Sequence, residues 1–535
     1  MRKCFLLFFL LFSFCGGFAQ PTLSLDWQDK EPVARGRFIK HDSQKNIINV
    51  GTTGSNLQGT YVQLYISKHD TVGNVLWKHF LSGNGGLLRP KDMLIDSADN
   101  IYITGRADYD ALNAEGFILK YDTQGNLNWI KYFGVNEGWV GEFNQMTIYN
   151  NQYIYIAGKM DSLSGNGQRK SVLVKYNNSG NLLWAKLDTE VFRKEGVSAE
   201  VDKGGNVYLI GITHCCLPGT DMFVEKYDSL GNKKWETVVL DTTYQYGYSI
   251  KSAVDDSSNI YITGEIAGLN VATSFDCGTV KIDSSGNLKW FNSFVNNPNI
   301  LSSEEGTGVF TDKQGSCYVY GISTSNNLNS GFLLQYSSSG ILNWSIVGDG
   351  MNGTYNYLIF GVLLVNDSEI VVGANGGLGG TNHGNVFAYS ISTSGNYNWS
   401  TAAYPSFGND FDFDYLNNSI YYTGSIADTN YIEPDSLFLV KYNINNATAI
   451  NEAKLEFGNV FVFPNPVTND LTIRFSSNLI SERKIVIYNS LGEKIYSTRF
   501  SGSYTNYNSS SLSSGIYLLE ITDGINVYRK KIIKQ

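Results

Sequence analysis

The chain has 535 residues and a formal net charge of −9, with 17% charged and 14% aromatic residues, 55 glycines and nine prolines. That much aromatic side chain with so little charge excludes a disordered polyelectrolyte. A mildly acidic balance without a Lys/Arg stripe excludes a nucleic-acid binder, and abundant Gly, Asn and Ser point to many short strands joined by tight turns.

Arg2 and Lys3 precede an apolar run from Phe5 to Phe14, and Gly16, Gly17, Phe18 and Ala19 lead to Gln20. This order predicts a signal peptide over residues 1–19, cleaved near Ala19. Cys15 offers a lipoprotein reading, against which stands the bulk of Phe14 before it. No later stretch is long and apolar enough to span a bilayer, so the mature chain is expected to carry no transmembrane segment. Cys4 and Cys15 leave with the signal, and Cys215, Cys216, Cys277 and Cys317 remain. An even number of cysteines in an exported chain permits disulfides. Cys215 and Cys216 lie in the loop THCCLPG and Cys277 in the matching loop of the next repeat, which predicts a 215–277 or 216–277 bridge. A zinc-type site would need more ligands than His214 adds to these thiols.

From residue 20 a repeat takes over. Seven tight hairpins recur about fifty residues apart: KHDTVGNVLW (68–77), KYDTQGNLNW (120–129), KYNNSGNLLW (175–184), KYDSLGNKKW (226–235), KIDSSGNLKW (281–290), QYSSSGILNW (335–344) and SISTSGNYNW (390–399). D-x-x-G-N is hairpin chemistry, because Gly and Asn tolerate positive φ. A strand ending in Gly, such as IYITG (101–105) or VYLIG (207–211), occurs eight times, as does the Trp strand: Trp27, Trp77, Trp129, Trp184, Trp235, Trp290, Trp344 and Trp399. One unit therefore reads as a four-stranded meander, and a period this long signals a stacked or circular repeat. Trp27 opens the series without a preceding hairpin, and LFLVKYN (437–443) closes it without a following Trp strand. Joining these two orphans predicts an all-β, eight-bladed β-propeller over 20–446, closed by its N-terminal strand. The recurring Trp is expected to dock each blade on its neighbour.

The repeat resembles the SBBP-type bacterial β-propeller repeat, F-x-x-K-Y-D-x-x-G-N-x-x-W followed by D-x-x-x-N-x-Y-x-x-G. FILKYDTQGNLNW (117–129) and MFVEKYDSLGNKKW (222–235) carry the likeness; Ile341 and Tyr415 mark looser late repeats. The G-x-x-x-W spacing is also similar to the Trp-docking motif of quinoprotein alcohol dehydrogenases, with an Asp-to-Gly spacing one residue shorter. Such a protein would hold its cofactor between a Trp, here Trp184 or Trp235, and a disulfide at Cys215–Cys216.

Residues 447–458 lack the repeat and read as a linker. The region 459–535 runs VFVFPNPVTNDLTIRF, KIVIYNSLGEKIYS, LSSGIYLLEI and NVYRKKIIKQ. It closely resembles the type A C-terminal sorting domain of type IX secretion substrates. The likeness rests on Pro464, Asn465, Pro466, Leu491, Gly492, Gly515 and Tyr517, then on the basic finish Arg529, Lys530, Lys531 and Lys534. It implies a small β-sandwich recognised by type IX secretion machinery at the outer membrane. It further implies a mature protein that crosses the periplasm and is either held on the cell surface or released.

Asp410, Asp412 and Asp414 alternate with aromatics, so a strand sets all three carboxylates on one face, where they can hold a hard cation such as Ca²⁺. Arg35 and Arg37, in the matching strand of the first blade, offer the other reading, an inter-blade ion-pair cluster with Arg37 level with Asp410. The five His share no ligand spacing, and no catalytic residue, required cofactor or phosphate loop is assigned. The expected role is binding or scaffolding of an unknown surface ligand, glycan or protein. The alternatives are a propeller enzyme acting on carbohydrate or a quinoprotein-like oxidoreductase.

Overall fold

The computed structural model describes residues 22–31, 34–53, 63–83, 86–109, 113–134, 138–162, 169–188, 193–213, 221–239, 244–268, 275–296, 302–325, 328–348, 355–366, 368–378, 385–405, 407–414, 418–426, 436–445, 460–463, 467, 469–475, 483–489, 493–501, 504–522 and 527–534. The signal-like segment 1–19 lies outside them. Two compact units form: one contains Gln20–Asn445, the other the C-terminal residues from Asn446. Among the described residues no helix is long and apolar enough to cross a membrane.

The larger unit is all β. Seven consecutive four-stranded antiparallel meanders span Ala34–Leu81, Leu87–Phe133, Trp139–Leu187, Lys194–Val239, Tyr244–Phe294, Ser302–Val347 and Tyr355–Pro405. We number them sheets 1 to 7. Sheet 8 takes three strands from Phe407–Asn445 and its fourth from Thr22–Glu31, which pairs antiparallel with Ser436–Asn445. The first strand of each sheet touches the first strand of the next, and that of sheet 8 touches that of sheet 1.

Burial explains the sequence pattern. The second and third strands are mostly buried, and Val207–Thr213 and Ala114–Tyr121 are buried at every position. A strand covered on both faces reads as a continuous apolar run rather than an alternation. Fourth strands, such as Val75–Leu81, alternate between half-buried and exposed. Packing crosses from sheet to sheet: Tyr102 and Ile118 of sheet 2 share a core with Phe143 and Met146 of sheet 3. At the closure, Ile39 and Tyr65 of sheet 1 share one with Tyr421 and Leu439 of sheet 8 and with Trp27.

The hairpins make the same joint at each junction. In DSSGN, Asp283 Oδ1 accepts the backbone N–H groups of Ser285 and Asn287 at 3.0 and 2.9 Å. The indole N–H of Trp235 and the ammonium of Lys226, both in sheet 4, donate to the Ser284 carbonyl in that turn at 3.1 and 3.2 Å. Gly286 has φ +90°, and a Cβ there would lie 2.9 Å from the Trp235 ring. Its absent side chain thus serves both the turn and the indole stacked on it. Trp27, Trp77, Trp129, Trp184, Trp290 and Trp344 repeat the indole bond to the next sheet's turn at 3.1–3.3 Å. The Trp399 side chain lies outside the described set.

The loop expected to hold Cys277 is shorter than the sequence suggests, because the strand Ile260–Gly268 runs past Gly264 and its partner resumes at Phe275, ahead of Cys277.

The C-terminal unit pairs Val460–Phe463, Asp470–Phe475 and Tyr504–Asn508 in one sheet. Lys494–Phe500, Arg483–Tyr488, Gly515–Thr522 and Val527–Lys534 form a second, and both contribute to one apolar core.

Trp235→Phe keeps an aromatic ring but loses the Ser284 bond and part of the indole face. It is expected to cost about 1 kcal/mol, while Gly286→Ala should cost roughly 1–3 kcal/mol through backbone strain and the clash. Denaturant titration of both variants checks the order; equal stabilities would remove the joint as a determinant.

Candidate functional site

The first strand of every sheet is an edge, and an unpaired edge carries free N–H and C=O groups that must find partners. In six sheets this strand bulges immediately after the residue paired with the Gly that ends the second strand, at Arg37, Lys91, Asn144, Val197, Thr307 and Asn409, and in sheet 7 it bulges just before that residue, at Phe360. The bulge throws the inner carbonyl onto that Gly, so a Cβ at Gly211 would lie 1.9 Å from the Glu195 oxygen. It also turns side chains toward the next sheet. The N–H of Met146 donates to Asp92 Oδ2 at 2.9 Å, that of Ala199 to Gln145 Oε1 at 2.6 Å, and that of Ile39 to Asp410 Oδ2 at 3.0 Å. Asn144 and Asn409 donate from their amides to the carbonyls of Gly196 and Gly36 at 2.8 and 2.6 Å. Side chains of one sheet thereby cap the edge of the next.

This corrects the reading of the acidic triplet. Counting through the bulge makes Arg37 equivalent to Asn409, not to Asp410. Asp410 holds the Ile39 N–H, Asp412 accepts from the backbone and ring of His41, and the fully buried Asp414 pairs with Lys45 at 3.4 Å. The triplet does join sheet 8 to sheet 1, through a backbone N–H, a His and a Lys instead of arginines. Its carboxylates are spread along the strand. Among the described residues no group of three or more His, Cys, Asp or Glu is placed to hold a metal ion.

Burial raises several carboxyls of the first strands. Burial pushes Asp410 up to about 7, against opposing help from the Ile39 N–H and Lys40. Burial likewise pushes Glu200 up to about 7, although Ser252 donates to it at 2.9 Å. Asp92 is raised for the same reason, with Met146 N–H, Lys40 and Lys251 opposing.

Above Asp92 the first strands of sheets 1 to 5 enclose a cavity of about 440 Å³, whose lining includes Lys91, Asp92, Glu142, Gln145, Ser198 and Lys251. Ion pairs run along its rim. Glu142 accepts from Lys91 at 3.1 Å and Lys159 at 3.3 Å, and Lys159 also reaches Glu195 at 3.4 Å. Arg169 and Arg193 hold Glu195 at 2.8 and 2.9 Å. Lys251 and Asp92, which the sequence reading did not select, line this cavity, and the charge of Lys40 acts on both Asp92 and Asp410. The offset at the bulge was the available signal, and it cannot be read from a period of two.

The cysteine reading is also corrected. Cys277 and Cys317 are free, buried thiols. Cys277 sits within a strand, opposite Glu265 and Phe294, and its sulfur lies 3.4 Å from Thr263 Oγ1 in the core. Cys215, Cys216 and His214 lie outside the described residues. Trp184 and Trp235, the candidate cofactor-stacking rings, donate to Ser229 and Ser284 in the neighbouring sheet.

In the C-terminal unit Gly515 pairs with Lys534, and Tyr517, buried in the core, donates to the Ser513 carbonyl at 2.8 Å. Lys530 and Lys531 pair with Leu519 and Leu518 on the last strand. Pro464, Asn465, Pro466, Leu491 and Gly492 lie outside the described residues. The model of the secretion system C-terminal sorting domain matches residues 461–535. This part of the chain is a type IX sorting domain. The sorting-domain protein is therefore exported to the cell surface or the extracellular space, and its larger unit has the propeller fold.

A comparison with curated proteins finds no match. Solved structures similar to this sorting-domain protein include the polysaccharide lyase Uly1, at 11% identity and TM-score 0.43, covering 78% of this chain and 99% of that one. An ulvan lyase of a further polysaccharide lyase family has 13% identity and TM-score 0.41, with coverage of 71% and 96%. The β-propeller domain of the Trilobed protease from Pyrococcus furiosus has 11% identity and TM-score 0.37, with coverage of 71% and 99%. Likeness at this level carries no statement about activity.

Unfolded carboxyls titrate near ~4, whereas Asp410 and Glu200 hold protons to about 7 when folded. Between these values the folded chain binds more protons, so stability should fall as pH rises from about 4 to about 7 and level off above. Asp410→Asn with Glu200→Gln is expected to flatten that fall. An unchanged slope in denaturation midpoint against pH would refute the assignment.

Proposed function

We propose that the chain is an eight-bladed β-propeller closed by its N-terminal strand, carried out of the cell by a small C-terminal β-sandwich, and that it works as a surface binding or scaffold protein. The observation that carries this reading is the pairing of a sorting domain over 461–535 with a polar cavity of about 440 Å³ set among the first strands of five sheets. A cavity of that size suits a small ligand or one unit of a polymer, within the ~300–1,000 Å³ range of ligand sites. A fold alone does not assign a ligand, so the site has to. A rim of ion pairs on rigid strands gives polar recognition with little ordering cost on binding. Type IX machinery is the partner that the sorting domain implies, and a surface glycan or protein is the partner of the propeller.

A second reading rests on Asp92. Its carboxyl lines the cavity, and burial favours its protonated form, the state a general acid needs near neutral pH. A propeller enzyme acting on carbohydrate is the form that reading takes.

Two measurements test this. Deleting 461–535 should keep the protein from the cell surface and medium, read by surface proteolysis and blotting; surface delivery of the truncated chain would refute the export role. Incubation with a panel of polysaccharides should give retention without new chain ends. New chain ends that disappear in Asp92→Asn would replace the binding reading with the enzymatic one.

A further inference from the structure

Arg37 is the bulge residue of sheet 1, and its counterparts Lys91, Asn144 and Val197 in sheets 2 to 4 line the cavity, as does its neighbour Phe38. Its side chain is exposed. Among the described residues it makes no hydrogen bond or ion pair, and the charges that act on it are the guanidiniums of Arg35 and Arg89. The nearby carboxylates are already engaged. Asp108 accepts from Arg89 at 2.6 Å and from Arg106, and Glu142 accepts from Lys91 and Lys159. The surrounding protein and the two neighbouring guanidiniums push Arg37 below its ordinary value. A chain of net charge −9 thus sets three guanidiniums to act on one another beside Phe38, which lines the cavity, an arrangement that an arriving oxyanion relieves.

Resting on the binding reading above, we infer that Arg37 is the anchor of an anion subsite at the channel mouth, and that the ligand is an acidic saccharide bearing a carboxylate or sulfate. A guanidinium offers two parallel N–H donors matched to such groups, and the charge of Arg89 acts on the same point. The polar atoms of Asn144, Gln145 and Ser198 along the cavity suit a hydroxylated ligand better than an apolar one.

The test is calorimetric titration of the full exported chain with neutral, uronate-bearing and sulfated oligosaccharides and with oligoglutamate, at low and high salt. The Arg37→Gln variant is compared with Lys289→Gln, a change on an exposed outer strand, and thermal melts check that both fold. Acidic oligosaccharides should bind more tightly than neutral ones and weaken as salt screens the contact. Arg37→Gln should lose about ten-fold or more in affinity, as a charge-assisted bond is worth, while Lys289→Gln should lose none. The uronate and sulfate arms separate the two oxyanion sources. Equal binding of neutral sugars, unchanged by Arg37→Gln, would overturn the anion subsite and leave the binding reading standing. Binding of oligoglutamate but of no sugar would overturn the saccharide class. No binding of any probe would overturn the subsite together with the glycan form of the binding reading.

Discussion

The turn carbonyl of each repeat hairpin is the point on which the larger unit depends. It receives an indole N–H and, at six of the seven described junctions, a Lys ammonium from the sheet before it: Trp27 and Lys441 at Thr71, Trp77 and Lys68 at Thr123, Trp290 and Lys281 at Ser338. Several of these lysines also lie over a Tyr ring of their own sheet, Lys226 over Tyr208 and Lys281 over Tyr261 at 4.7 and 4.9 Å. One carbonyl thus links two side chains, an aromatic face and a glycine. The K-Y-D-x-x-G-N-x-x-W string is conspicuous because its residues serve two sheets at once. Where sheets 6 and 7 place Gln335 and Ser390 at the Lys position, the indole bond of Trp344 to Thr393 persists.

Closure uses this joint without a new device. Trp27 arrives from the other end of the chain, pairs opposite Lys441, and reaches the same Thr71 carbonyl. The axial side of the same junction is held by Asp410 and Asp412 on backbone and His41 groups of sheet 1. A strand contributed from each terminus ties the succession at its outer edge while carboxylates tie it at its inner edge. Non-local closure of this kind protects edges that would otherwise pair with other chains.

The inner edge is also where chemistry can reside. Each first strand lacks a backbone partner on one side, so its N–H groups draw polar side chains into a confined space. Such a space raises the cost of a bare carboxylate, which explains why Asp92, Glu200 and Asp410 are all raised above the ordinary carboxylate range. It raises the cost of an unpaired cation too, and Arg37, acted on by Arg35 and Arg89, is held below its ordinary value. A repeat whose sheets were identical would distribute such groups evenly. Here the guanidiniums of Arg35, Arg37 and Arg89 act on one another in sheets 1 and 2, while Lys159, Arg169 and Arg193 hold Glu142 and Glu195 in sheets 3 and 4.

Much of this architecture was legible in the primary structure because its causes are local. A turn that needs positive φ shows its Gly, a strand buried on both faces shows an unbroken apolar run, and a basic C-terminal string with fixed Gly and Tyr positions shows a sorting domain. The pairing of Trp27 with the last sheet could be inferred, because two orphan half-hairpins have one way to be satisfied. The site was not legible in the same way. A bulge is one residue of offset with no composition of its own, filled by Arg, Lys, Asn, Val or Thr in different sheets, and it moved Arg37 out of register with Asp410. Cys277 looked like half of a loop disulfide until the extended ladder put it inside a strand. The sequence by itself determined the repeat, its closure and the export signal, each set by contacts between neighbours or by backbone conformation. The tertiary structure alone decided which polar groups meet at the axis, because that depends on the stagger between strands about fifty residues apart.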